Sequence, residues 1–166
     1  MDIDRSLFIR SNRALGLALV QGGLLSQPNL DQANGVLIDN VRAGKLRASG
    51  LLPILVNDMK SLSEELLLQN QASEHGMGLI DLHSYQMRLP QGTDPAACWA
   101  TWTLPIDERE GVHFMASAYY LSQPVRAYWE QLFGGSMIWY AASMQVLAEA
   151  IERIEAQATA PAQAKP

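Results

Sequence analysis

Two leucine-rich stretches, each interrupted by glycine, constrain the fold of the N-terminal half. The first is RALGLALVQGGLLSQPNL, residues 13–30; the second, LRASGLLPILVNDMKSLSEEL, residues 46–66, is a looser echo. Leu7, Phe8, Leu15 and Leu19 recur at helical spacing, which predicts a helix over about 5–20. Gly16 lies inside it, where glycine costs about 1 kcal/mol relative to alanine, so close approach of another group to that backbone is expected. Gly22-Gly23 stops the helix, and Ser26 with Pro28 restarts the chain as a second one. That helix, 27–43, directs Leu30, Ala33, Val36, Leu37 and Val41 inward, and Gly44 ends it. In the echo, 51–59 reads as a short apolar helix or turn weakened by Pro53. Ser61 with Glu64 fits a capping box, opening a helix over 62–73. Residues 5–73 therefore read as a helical subdomain of two helix-turn-helix units.

The texture changes after Gly76 and Gly78. Residues 79–82 read as a short strand, and 89–95 as a loop. CWATWTLPI (98–106) and VHFMASAYY (112–120) read as a hairpin closed by DEREG. A helix over 123–133, a strand within 134–143 and an amphipathic helix over 144–156 complete an α/β subdomain, 74–156. The fold class is α+β: the helical units, then a small antiparallel sheet with two helices packed on it. The Ala/Pro-rich end, 157–166, reads as a disordered tail.

Composition narrows the function. Net charge is −5 (12 Lys+Arg, 17 Asp+Glu), which disfavours nucleic acid and anionic membranes as partners. Charged residues are only 17% of the chain, so a protein partner or a second copy is expected to cover some apolar surface. The single cysteine, Cys98, excludes an internal disulfide and fits a reducing, cytoplasmic setting; no stretch is long and apolar enough to span a membrane. Cys98 reads as a small buried apolar residue. His75, His83 and His113 lack metal-ligand spacing. Asp81 and His83 share a strand face and read as a surface hydrogen bond; residues 107–110 read as a solvated hairpin tip. No Walker-type loop is present, no cofactor is implied, and no enzyme activity is expected. Of the aromatic pairs Tyr119/Tyr120 and Trp139/Tyr140, strand alternation turns one member of each outward as a docking surface.

The order of these pieces resembles the N-terminal regulatory (MshEN-type) domain of type II secretion and type IV pilus assembly ATPases, also appended to exopolysaccharide glycosyltransferases. The resemblance spans about residues 10–155. It implies tandem motifs that bind cyclic di-GMP, each built from Arg-Leu-Gly, a Leu one turn later, then two Leu and a Gln on the second helix. The first copy keeps Leu15, Gly16, Leu19 and Leu30; Arg13 stands one residue early, and Asn34 and Leu37 replace the later Leu and the Gln. The second keeps Leu51, Leu55 and Leu66. There Gly50 and Leu52 stand at the Arg and Gly positions, Arg47 is three residues early, and Asn70 and Ser73 replace Leu and Gln.

The resemblance thus implies a binding set of Arg13, Leu15, Gly16, Leu19, Leu30, Arg47, Gly50, Leu51, Leu55 and Leu66. Arginine would stack on guanine and bond phosphate, glycine would open backbone N–H groups, and leucines would bed the purines. Two readings stand: a domain sensing cyclic di-GMP for a secretion or exopolysaccharide assembly, or a docking module that has lost the nucleotide.

Overall fold

The computed structural model describes residues 2–159. Helix α1 (Arg5–Gln21) begins at Asp4, whose carboxylate accepts from the Leu7 N–H, and ends at Gly22. Helix α2 (Gln27–Arg42) is capped by Ser26, as the Ser-x-Pro start predicts. The short α3 (Leu51–Pro53) runs directly into a π-helical turn, Ile54–Asp58. Helix α4 (Glu64–His75) starts two residues later than expected, because its cap is Ser63 and not Ser61. Glu64 is turned away from the expected capping box and accepts instead from the Met144 N–H, at the start of the last helix.

The second half carries β1 (Gly78–Leu79), α5 (Pro95–Thr101), β2 (Thr103–Arg109), β3 (Val112–Ser117), α6 (Gln123–Phe133), β4 (Ser136–Ala141) and α7 (Met144–Thr159). The α+β class holds, with two corrections. The sheet is mixed rather than antiparallel: its order is β1-β4-β3-β2, and only β2–β3 is antiparallel. The start of the first hairpin strand, 98–101, is helical. Asp94 accepts from the Ala96 N–H and Pro95 occupies the first turn, and this helix-start signal overrides the β-propensity of Trp99 and Thr101. The β2–β3 turn is as expected. Glu110 and Gly111 both take positive φ (52° and 79°), which a tight hairpin requires. Asp107, however, is buried and not part of a solvated tip. A bulge between Pro105 and Asp107 turns its carboxylate inward, where it accepts from Glu108 N–H, Arg109 Nε and Tyr85 Oη. Burial opposes its ionisation, but these three donors hold its carboxyl below the usual range.

Helix α7 extends through 157–159, three residues into the expected tail; 160–166 lie outside the described residues. One hydrophobic cluster joins both halves, from Leu7 and Phe8 of α1 through Trp99 and Trp129 to Ile151 and Ile154 of α7. Helix α1 packs on α5 and α6, so the helical half is sealed directly against the α/β half. Among the described residues no helix is long and apolar enough to cross a membrane.

Candidate functional site

The residues singled out by the tandem motif do not gather around one open cavity. Leu15, Leu19, Leu51 and Leu55 are fully buried, and Leu30 nearly so. Gly16 is where the two copies interlock. A Cβ there would lie 2.6 Å from Leu30 Cδ1 and 3.0 Å from Leu51 Cδ2, so the expected close approach is made by leucines of the protein itself. Leu66 points the other way and is 58% exposed. Val36, expected inside, is also exposed.

Gly50 is held still more tightly. Its φ of 136° and ψ of −177° fall in a region open essentially to glycine alone. Asn12 Oδ1 accepts from the Leu51 N–H (2.7 Å) and from the Tyr119 hydroxyl (2.7 Å). The same hydroxyl accepts from the Leu52 N–H (3.2 Å), and Asn12 Nδ2 donates to the Phe8 carbonyl. Trp102 Nε1 donates to the Ser49 carbonyl (2.9 Å). The N–H groups that the second copy would offer a phosphate are therefore engaged by buried protein oxygens. Neither Asn12 nor Tyr119 carries a motif signature; a polar residue on the apolar face of α1 was the only hint in the sequence.

Arg47 is also engaged. Its guanidinium stacks over Trp99, 5.0 Å from the ring centroid, and its Nε meets both carboxylate oxygens of Glu155 at 3.1 Å. Trp99 Nε1 donates to the same carboxylate. Burial opposes ionisation of Glu155, but Arg47 and Trp99 outweigh it and hold its carboxyl low.

Two of the candidate set line open cavities: Arg47 lines one with Ile3, Arg5 and Leu46, but is itself tied to Trp99 and Glu155, and Arg13 lines another. The Arg13 cavity is a groove of about 420 Å³ between α1 and α2, shared with Ile9, Asn34, Leu37, Ile38, Val41 and Arg42. Neither Arg13 nor Arg42 has an ion-pair partner among the described residues. The expected outward aromatic of each pair is not found among the described residues: β3 ends at Ser117, so strand alternation does not reach Tyr119, which is buried, or Tyr120, which like Trp139 and Tyr140 is half-buried. Tyr120 packs edge-on against Trp139 and His75 and lies under Arg126. Exposed large apolar side chains are aliphatic, among them Ile38, Leu66, Leu79 and Ile138.

The expected strand over 79–82 is only Gly78–Leu79. Asp81 and His83 therefore pair (2.7 Å) across a turn, where Asp81 also accepts from the His83 N–H, and not on a strand face. The pair gains a third member, Glu149 of α7, 2.6 Å from His83 Nε2. Glu149 and then Asp81 raise the imidazole above its ordinary value, because a neutral ring would turn a lone pair on one carboxylate. The sign follows. The bridge between the 81–83 loop and α7 is complete below the free histidine's value, about 6.5. It is lost as pH rises through the elevated folded value. An NMR titration is expected to show His83 above 6.5 and Glu149→Gln bringing it down; an unshifted wild-type His83 contradicts the bridge.

These features define an α+β fold whose two leucine-glycine units interlock in its core. The sequence matches no protein-family model and no curated protein. Solved structures do match. MshE with cyclic di-GMP aligns at a TM-score of 0.52 and 20% identity, over 84% of this chain and 96% of that one. The N-terminal domain of XpsE aligns at a TM-score of 0.55 and 20% identity, over 86% and 94%. A second crystal form of XpsE aligns at 0.55 and 19%. The chain thus has the MshEN-type fold of these domains.

Proposed function

We propose that this chain is a non-enzymatic regulatory docking domain of a bacterial secretion, pilus or exopolysaccharide-export system, acting in the cytoplasm through a protein partner. One observation carries the reading: the groups that the tandem motif would present to a nucleotide are occupied internally, at Gly16 by Leu30 and Leu51 and at Gly50 by Tyr119 and Asn12. Binding rather than catalysis is supported by the candidate nucleophiles and bases. Burial pushes the Cys98 thiol far above its usual range, and both ring nitrogens of His83 are held by carboxylates.

A second reading, cyclic di-GMP sensing, is favoured by the nucleotide in the MshE structure and by the unpaired Arg13 on an open groove. Titration calorimetry with cyclic di-GMP separates the two. The docking reading expects no saturable heat at micromolar protein. Saturable heat that Arg13→Ala abolishes would replace it with the sensing reading.

A further inference from the structure

We propose that the groove between α1 and α2 receives an amphipathic helix of a partner protein, with carboxylates flanking its apolar stripe. This rests on the docking reading above and names the partner's chemistry.

The short 22–26 connection joins α1 to α2, and side chains of both helices line the groove. Along α2 the lining residues are Asn34, Leu37, Ile38, Val41 and Arg42. They occupy one face over two helical turns, about 12 Å. Leu37 forms the buried floor, while Ile38 (50% exposed) and Ile9 (36%) rise as walls. A trough between two helices, floored and walled by aliphatic side chains, accepts the ridge of a third helix.

Charge selects which helix. The groove's charged side chains are Arg13 and Arg42, both positive, on a chain of net charge −5. Arg42 lies at the far end of α2, whereas Arg13 lies closer to the connecting turn, so the two bracket the aliphatic floor. Without ion-pair partners they attract carboxylates at both ends of the stripe and repel a basic helix. Two arginines in a concave trough do not suit a flat anionic bilayer, which draws on clusters of basic residues.

The test is selection on the intact chain from a displayed library of amphipathic helices with acidic and basic members in equal number. Acidic helices are expected to be enriched, and their affinity to fall at least about tenfold on Arg13→Glu/Arg42→Glu and on Ile38→Glu. These surface changes are expected to leave the circular dichroism spectrum unaltered. Helices that bind these variants undiminished, or that are basic, would overturn the groove while leaving the docking reading in place. No enriched helix would count against both. Displacement of the selected helices by cyclic di-GMP would reassign the groove to the nucleotide.

Discussion

Gly50→Ala is expected to destabilise the protein by about 3–5 kcal/mol, a large loss for an added methyl group. Two costs combine. The backbone at φ 136° is closed to alanine, at about 1–3 kcal/mol. The new Cβ would also lie 2.7 Å from Tyr119 Oη and 2.9 Å from Asn12 Oδ1, forcing apart the hydroxyl and amide that hold the Leu51 and Leu52 N–H groups. A buried donor left unpaired costs about 1–3 kcal/mol. At about 2–4 °C per kcal/mol for a chain of this size, the midpoint of thermal unfolding should fall by roughly 6–20 °C. Urea unfolding of the two proteins measures it directly. A loss under about 1 kcal/mol would mean that the Asn12–Tyr119 network does not hold this turn.

Trp99→Ala is the second large effect, expected at about 3–5 kcal/mol. The ring is fully buried on α5, stands edge-on to Trp102 at 5.5 Å and carries the Arg47 guanidinium on its face. Its indole N–H also serves Glu155. Arg47→Ala, by contrast, is expected to cost under about 1 kcal/mol, since that side chain is half exposed and its ion pairs are screened. Denaturant unfolding of both variants gives the comparison. Near-equal losses would show that the arginine, and not the ring, organises this corner.

Much of the fold was legible because it rests on local signals. Ser26-x-Pro28, Gly22-Gly23 and Gly44 punctuate α1 and α2 where the structure does, and Leu15, Leu19, Leu147 and Ile151 bury as their spacing requires. Strand direction was not legible, because the parallel pairing of β1 and β3 with β4 depends on crossovers that no local pattern records. Helix α5 was misread because its β-favouring composition outweighed the Asp94-Pro95 start. The candidate site was the least legible part. Leucine and glycine at motif spacing suit a ligand bed and a helix-helix seam equally well. The observation that favours the seam is Asn12 and Tyr119, 107 residues apart, meeting at Gly50.

The interlock at Gly16 bears on how such chains are to be recognised. Leu30 and Leu51, one from each copy, press on the same missing side chain, so folding by itself requires the leucines and the glycine to stay. Arg13, unlike Arg47 on Trp99 and Glu155, is under no such packing restraint. A search keyed to the apolar skeleton of the repeat will therefore gather chains by ancestry of architecture. Chemistry has to be read from whichever arginines still look outward.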